Sequence, residues 1–313
     1  MVEYIPPSKE DWSGRISGEL LYLHEKVKCQ SVDELSSLNN SFALLGYCCD
    51  EGVRRNQGRV GSINGPEAIR VALGKMPNHL DNKTHFFDVG DVVCSNQNME
   101  KAQNLLSQKT AFLLKQGSFP ILLGGGHDMA YGHFNGVKQH LGNNKKIGII
   151  NFDAHFDLRD NAKGNNSGTP FYQIAQENSE FHYLCLGIRK DANDQSLFGT
   201  AKRLDVDYVM RDKFCTRFQN EINAQLNAFI NKVDKVYVTI DLDGFSSAYT
   251  PGVSAPSPMG FSPDVVLESL TTILQTGKLI SLDIAEMNPK YDLDGQTAKL
   301  AASLVHYVLH HYS

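Results

Sequence analysis

Three short segments of the sequence bring together histidine and aspartate side chains at spacings that suit metal binding. They lie at residues 124–128, 151–159 and 241–244, and they supply six candidate ligands: His127, Asp153, His155, Asp157, Asp241 and Asp243. Four carboxylates held close together raise one another's pKa values, whereas two divalent cations would balance their charge. Carboxylate and imidazole ligands in this number favour Mn²⁺ or a similar octahedral ion over structural zinc.

Each segment alone has an ordinary explanation. A histidine after a glycine run is often a loop or core residue, an Asp-x-His-x-Asp run is compatible with a solvated turn, and Asp-Leu-Asp-Gly resembles a turn. Three such segments, each after a short apolar run, are better explained by a shared site. If residues 153–157 are extended, their three polar side chains face one side. Paired metal ions acidify a bound water molecule, so the pattern predicts a hydrolase without choosing between carbon and phosphorus centres.

Short apolar runs alternate with longer helical stretches. Strands are predicted at 119–123, 147–152, 182–186, 236–240 and 279–283, and helices at 100–115, 220–233 and 298–311, with another opened by Pro66. This alternation indicates a single three-layer α/β domain with a mainly parallel sheet and helices on both faces. Ligands of such sheets bind at the carboxyl ends of the strands, where the three polar segments fall. We assign the domain to residues 41–313 and regard residues 1–40 as an N-terminal extension.

Composition narrows the possible partners. The chain has 313 residues and a formal net charge of −5, which excludes an overall basic surface for nucleic acid. No apolar run approaches the ~20 residues of a membrane helix, and the first residues lack the pattern of a secretory signal. The six cysteines are scattered and include no C-x-x-C pair, which is typical of free thiols in a reducing compartment. We therefore expect a cytoplasmic protein with neither nucleic-acid nor membrane partners.

Together with 283–289, Asp-Ile-Ala-Glu-Met-Asn-Pro, the three segments resemble the signatures of the ureohydrolase superfamily, which contains arginases, agmatinases and formimidoylglutamases. The resemblance runs in order from about residue 42 to the C-terminus. It implies an arginase-like fold, two Mn²⁺ ions per subunit and a homo-oligomer, either trimer or hexamer. One manganese would be held by His127, Asp153, Asp157 and Asp241. The other would be held by Asp153, His155, Asp241 and Asp243.

Five further stretches resemble the formimidoylglutamase branch: 49–66, 155–159, 167–171, 251–256 and 292–297. Phe156 and Ser167 stand where arginases and agmatinases typically carry threonine and a proton-shuttling histidine. Arg189 departs from this branch, where glutamine is common. The resemblance implies hydrolysis of N-formimidoyl-L-glutamate, an amino-acid-derived amidine, to L-glutamate and formamide, a step of histidine degradation.

Roles follow from the same resemblance. Glu286 would bind the amidine, although it could also be an ordinary glutamate at a helix start. Asp243 would stabilise the tetrahedral intermediate and pass a proton to the leaving amine. Asp128 would either orient His127 or cap a helix.

A dicarboxylate substrate also needs cationic groups, because guanidinium matches carboxylate geometry. Arg159 is the first candidate, followed by Arg189 and Arg55. Ser167 and Thr169 could donate hydrogen bonds to a carboxylate.

Three alternatives remain open at this point. The chain could be a related amidine or guanidine hydrolase of the agmatinase, guanidinobutyrase or arginase type, which releases urea. It could be an inactive metal-binding oligomeric scaffold, although retention of six ligands and Glu286 opposes this. A dinuclear phosphoesterase is less supported, because the sequence has no phosphate-binding loop of the P-loop type.

Overall fold

The computed structural model describes residues 1–35 and 38–312. Its strands are β1 (Val2–Ile5), β2 (Lys28–Cys29), β3 (Ser41–Cys48), β4 (His85–Cys94), β5 (Ser118–Gly124), β6 (Ile147–Phe152), β7 (His182–Ile188), β8 (Asp207–Met210), β9 (Lys235–Asp241) and β10 (Leu279–Ala285). Its α-helices are α1 (Leu23–Lys26), α2 (Glu51–Arg55), α3 (Gly65–Gly74), α4 (Met99–Lys115), α5 (Met129–Leu141), α6 (Pro170–Glu177), α7 (Gln195–Arg203), α8 (Gln219–Asn231), α9 (Pro263–Gln275) and α10 (Gln296–His311).

These strands form one sheet in the order β1-β4-β3-β5-β10-β9-β6-β7-β8, with β2 also paired to β4. The strand pairs are parallel apart from β1, which runs antiparallel to β4. The last strand, β10, lies between β5 and β9. The carboxyl ends of β5, β6, β9 and β10 therefore meet at the same edge of the sheet.

Helices cover both faces of the sheet, and alternate residues of a strand enter different cores. On β5, Ile121 and Leu123 pack in a core that includes residues of α3, α8, α9 and α10. Leu122 packs on the other side with residues of α4. Burial on both faces explains why the central strands read as continuous apolar runs rather than alternating ones. The predicted three-layer α/β architecture with a mainly parallel sheet is confirmed.

The sequence-based element predictions are confirmed, with ends that differ by at most two residues. The predictions missed strands β1, β2, β3, β4 and β8, as well as helices α1, α2, α5, α6, α7 and α9. Helix α5 carries glycines and histidines that interrupt its apolar pattern, and α6 and α7 have only eight and nine residues, which is little more than two turns. Among the described residues, no helix is long and apolar enough to cross a membrane.

The segment expected to be an N-terminal extension shares the sheet and core of the rest of the chain. Strand β1 pairs with β4, and the indole of Trp12 is buried in the core formed with α3. The indole Nε1 of Trp12 donates a hydrogen bond to Asp88 Oδ2 at 2.7 Å. The domain boundary at residue 41 stays a prediction.

A buried ion-pair cluster lies beside this indole. Arg70 of α3 places Nε 3.0 Å from Asp88 Oδ2 and Nη1 2.7 Å from Asp91 Oδ1, and its side chain is only 2% exposed. Both aspartates belong to β4. The guanidinium therefore links a helix to the sheet and offsets part of the charge of two carboxylates.

Candidate metal centre

The candidate ligands follow the carboxyl ends of three neighbouring strands. His127 comes after β5 and a glycine turn, Asp153 comes directly after β6, and Asp241 ends β9. Gly125 is needed in the glycine turn because a Cβ there would lie 2.0 Å from the backbone oxygen of Cys49. The convergence predicted from parallel strand ends is thus present in the structure.

One group of possible metal ligands surrounds the Nδ1 atom of His127. This atom lies 2.9 Å from Asp157 Oδ2, 3.0 Å from Asp241 Oδ2 and 3.3 Å from Asp153 Oδ2. One ligand atom from each of these four residues lies within 4.8 Å of the others. The expected first set of ligands is therefore assembled.

A second group shares Asp153 with the first. His155 Nδ1 lies 3.2 Å from Asp243 Oδ1 and 3.4 Å from Asp153 Oδ1. These three residues meet the same distance criterion, whereas Asp241 joins only the first group. Two adjacent groups with one common carboxylate are compatible with two cations, and the predicted bridging role of Asp241 stays a prediction.

The free ligand atoms fit a divalent cation. Although three carboxylate oxygens surround it, His127 Nδ1 is buried and makes no hydrogen bond, and the same is true of Asp243 Oδ1. Neighbouring ligands of an octahedral ion with bonds of about 2.1 Å are about 3.0 Å apart, which matches the nitrogen–oxygen distances around His127. These two atoms without hydrogen bonds are thus ones that metal binding would use.

The electrostatics of the centre show the cost of crowding carboxylates. Burial, followed by the charge of Asp241, raises the pKa of Asp243 well above its usual range. Burial also raises the pKa of Asp157 and of Asp241, and the negative charge of Asp153 is the next cause for both. Although burial opposes it, contact with His127 and His155 lowers the pKa of Asp153. A divalent cation would relieve this repulsion.

The residues from Asp153 to Asp157 converge by a different route from the one predicted. Strand β6 ends at Phe152, and Asp157 adopts a left-handed backbone conformation with φ of 48°. The expected extended run with three side chains on one face is therefore wrong. A turn, stabilised by a hydrogen bond from the His155 amide to Asp153 Oδ1, brings these ligands together.

Glu286 lies just beyond β10 and does not start a helix, so that alternative is wrong. Its φ of 68° is rare for a residue with a side chain. Its Oε1 accepts a hydrogen bond from the His127 amide at 2.9 Å, while its buried Oε2 makes none. Burial, followed by the charges of Asp241 and Asp243, raises its pKa well above the usual range.

Thr239, which the sequence analysis did not single out, contacts the ring nitrogen of His127 that does not face the carboxylates. His127 Nε2 lies 2.9 Å from Thr239 Oγ1, and this hydroxyl donates to Asp283 Oδ1 at 2.5 Å.

Asp128 takes neither role expected of it. Its Oδ2 accepts from the Tyr47 hydroxyl, and its side chain makes no capping hydrogen bond to α5.

A cavity of about 330 Å³ opens onto the centre. Its polar lining includes His127, His155, Asp157, Asp241, Asp243 and Glu286. Further residues from four loops contribute to the wall: Asn56, Gln57, Arg59, Arg159, Ser167, Asn193 and Ser254. Acidic groups, imidazoles and two arginines thus line the same cavity.

The predicted substrate-binding residues divide into two sets. Arg159 and Ser167 line the cavity. The other three are outside its lining and have partners elsewhere. The Arg189 guanidinium pairs with Asp191, the Arg55 guanidinium pairs with Glu51 and Glu100, and the buried Thr169 hydroxyl bonds to Asn166 and Gln173.

Asn56 and Arg59 were not assigned a role from the sequence, although both lie in the 49–66 stretch. Asn56 contacts both Arg159 and Ser167. Arg59 donates to the backbone oxygens of Val253 and Ser254 and stacks 4.0 Å from the ring centroid of Tyr291. The run of polar residues that follows α2 was the feature of the sequence that could have indicated a role for both residues.

Comparison with known proteins agrees with this geometry. The model of the arginase family matches residues 40–311. A formimidoylglutamase of Geobacillus thermodenitrificans is 40% identical over 99% of this chain and 98% of its own. A formimidoylglutamase of Aeromonas salmonicida is 42% identical over 94% of this chain and 95% of its own.

Solved structures show the same fold. The formimidoylglutamase of Bacillus subtilis superposes with a TM-score of 0.84 at 23% identity, over 96% of this chain and 94% of that chain. A Trypanosoma cruzi formiminoglutamase described with Mn²⁺ superposes with a TM-score of 0.81 at 22% identity, over 93% and 98% of the two chains. With its full-length relatives and its fold in agreement, the chain is a hydrolase that belongs to the arginase family.

Proposed function

We propose that the protein hydrolyses the formimidoyl C–N bond of N-formimidoyl-L-glutamate, giving L-glutamate and formamide. The observation that carries this proposal is that one cavity combines the two groups of possible metal ligands and Glu286 with the guanidinium of Arg159. A cationic amidine and an anionic amino-acid part need groups of these opposite charges. The names of the full-length relatives at about 40% identity favour this substrate among amidines and guanidines.

Two Mn²⁺ ions are the proposed cofactors. One would be held by His127, Asp153, Asp157 and Asp241, and the other by Asp153, His155, Asp241 and Asp243. Bound divalent ions would lower the pKa of a water molecule and supply a nucleophile at neutral pH. The manganese in the Trypanosoma cruzi relative supports this choice of ion.

Glu286 binds the amidinium group in this proposal. Its Oε2 makes no hydrogen bond within the protein, and its Oε1 is fixed by the His127 amide. A carboxylate accepts two parallel hydrogen bonds from an amidinium, which orients the planar carbon towards the ligand cluster. A positively charged amidinium would also favour the ionised form of this buried carboxylate.

Asp243 moves the proton. Attack on the formimidoyl carbon forms a C–O bond, and collapse of the tetrahedral carbon then breaks the bond to the amino-acid nitrogen. That nitrogen must leave as a protonated amine. Asp243 is a candidate metal ligand through Oδ1, so its other oxygen, Oδ2, would accept the proton from the nucleophile and deliver it to the leaving nitrogen. Ser167 has no titratable group with which to share this task.

Arg159 binds a carboxylate of the glutamate part in this proposal, with Ser167 as a neighbouring hydrogen-bond donor. Arg189, Arg55 and Thr169 keep other partners and are less suited to the task. We also propose that the protein is a homo-oligomer and works in the cytoplasm without nucleic-acid or membrane partners.

A parallel assay tests the function. Mn²⁺-loaded protein is incubated with N-formimidoyl-L-glutamate, agmatine or L-arginine, and formamide, urea and L-glutamate are measured. We expect equal amounts of formamide and L-glutamate from the first substrate and little urea from the others. Urea as the main product would contradict the proposal, and no turnover of any substrate would favour an inactive scaffold.

A further inference from the structure

We propose that Asn56 is a positioning residue that holds the guanidinium of Arg159 ready for the substrate carboxylate. The inference rests on the proposed function, because it takes Arg159 as the carboxylate-binding group. Arg159 Nη1 donates a hydrogen bond to Asn56 Oδ1 at 2.5 Å. Asn56 Nδ2 in turn donates to Ser167 Oγ at 3.1 Å. One amide thus joins two residues of the cavity wall.

Arg159 needs such support because it lies on a loop and its side chain is exposed. Among residues 1–35 and 38–312, the contact with Asn56 is the only hydrogen bond of its guanidinium, and it forms no ion pair. Its stem runs close to Gly168, where an added Cβ would lie 3.2 Å from Arg159 Cδ. An arginine whose aliphatic part and guanidinium are both held loses less side-chain entropy when a carboxylate binds.

Asn56 is itself fixed to the two segments that it joins. It directly follows helix α2, and its backbone amide donates to Gly52 O at 3.0 Å. The Ser167 amide donates to the same Gly52 oxygen at 3.1 Å. Arg55 Nη1 also reaches the backbone oxygen of Asn165, at 3.2 Å. Helix α2 therefore holds the loop that follows Arg159, and this supporting contact is what the structure offers as a role for Arg55.

The chemistry of an amide suits this task. A neutral oxygen orients the guanidinium without cancelling its charge, whereas a carboxylate in its place would compete with the substrate. One of the five N–H groups of Arg159 is used by Asn56, which leaves a pair for a bidentate contact.

A double-mutant cycle between Asn56→Ala and Arg159→Ala tests the inference with Mn²⁺-loaded protein. The measured quantities are KM and kcat for N-formimidoyl-L-glutamate and the Kd of L-glutamate from calorimetry. We expect Asn56→Ala to raise KM and Kd about tenfold while kcat stays within about twofold. In the Arg159→Ala background the same substitution is expected to add less than about twofold, because its partner is already gone.

Volume and local order are controlled separately. Asn56→Leu keeps the side-chain volume without the amide, and it should reproduce the effect of Asn56→Ala if either variant folds poorly. Asn161→Ala removes a different amide on the same loop, one that bonds to Asn165, and should leave KM unchanged.

The inference is overturned if Asn56→Ala and Asn56→Leu leave KM and Kd unchanged, or if they raise both equally in the Arg159→Ala background. A fall in kcat without a change in KM also overturns it. Failure of the proposed function is a separate result, since it appears as absent formamide from the wild-type protein. If the wild-type protein releases no formamide, the effect of the substitutions on the Kd of L-glutamate still tests the inference. Wild-type protein that binds no L-glutamate overturns the inference as well.

Discussion

Two regions of the molecule bury clustered aspartates, and they balance the charge in different ways. Beside Trp12, Arg70 pairs with Asp88 and Asp91, so the positive charge is part of the chain. At the carboxyl ends of the strands, no lysine or arginine among the described residues forms an ion pair with Asp153, Asp157, Asp241 or Asp243.

The difference separates a cluster that links parts of the fold from one whose geometry suits the binding of a cation. Removing one partner of a buried pair leaves an uncompensated charge, so the Arg70 cluster is tied to stability. In the ligand cluster the candidate ligand atoms face one another, and a bound cation would balance the charge of the carboxylates. Four substitutions test this contrast.

The largest expected effect comes from Asp153→Ala, because Asp153 belongs to both ligand groups. We expect the variant to lose both metal ions and its hydrolysis rate to fall by about 10³-fold or more. Metal content and formamide release measure the two effects. Asp212→Ala, an exposed aspartate far along the chain, serves as control. A variant that retains two ions per subunit would contradict the shared role of Asp153.

In the other region, Arg70→Met should act on stability alone. Loss of the guanidinium leaves Asp88 and Asp91 without their cation, so the free energy of unfolding should fall by about 3–5 kcal/mol in urea denaturation. The rate per folded molecule should stay near that of the wild type. A fall below about 1 kcal/mol, or a parallel loss of kcat, would remove the contrast between the two regions.

A smaller effect is expected from Thr239→Val, which keeps the shape of the side chain but removes the hydroxyl behind His127. Because this hydroxyl links His127 Nε2 to Asp283, its loss should weaken Mn²⁺ affinity by about 10–100-fold. Titration of metal into chelated protein measures the change. Thr271→Val on α9 is the matched control, and equal affinities in the two variants would refute the role of Thr239.

The smallest effect concerns Glu25, a carboxylate balanced by hydrogen bonds alone. The Ser17 side chain and nearby backbone amides lower its pKa from 4.5 to about 2. Because the folded pKa is the lower one, its contribution to stability is present above about pH 4.5 and disappears as the pH falls towards 2. Glu25→Gln should therefore flatten the pH dependence of unfolding between about pH 5 and pH 2, measured in chelated protein.

The matched control for this substitution is Glu19→Gln, which should leave the slope unchanged. Identical slopes in wild type and Glu25→Gln would show that hydrogen bonds contribute no pH-dependent stability at this carboxylate.

The ligand cluster was more predictable from sequence than its surroundings. His127, Asp153 and Asp241 follow apolar strands, and parallel strands end at a common edge, so local pattern and topology together indicate their meeting. The left-handed turn at Asp157 has no comparable signal, because aspartate tolerates that conformation without requiring it.

The pairing of charges was not predictable, because it depends on contacts between distant parts of the chain. Arg159 was the first candidate for a substrate carboxylate, but nothing in the local sequence indicates its contact with Asn56, 103 positions away. The partners of Arg70 likewise lie on a strand that the sequence analysis missed. Trp12 contacts Asp88 across 76 positions of the chain, which explains why the place of the N-terminal segment could not be derived.

The position of β10 has a consequence for the order in which the protein folds during synthesis. Strands β1 to β5 and strands β6 to β9 are not paired with each other, and β10 joins them by pairing with both β5 and β9. Leu279–Ala285 leaves the ribosome after every other strand of the sheet, so the two halves of the sheet keep open edges at their future junction until then. Asp283 lies on this strand and Glu286 follows it. Closure of the sheet and completion of the candidate centre are therefore one late event.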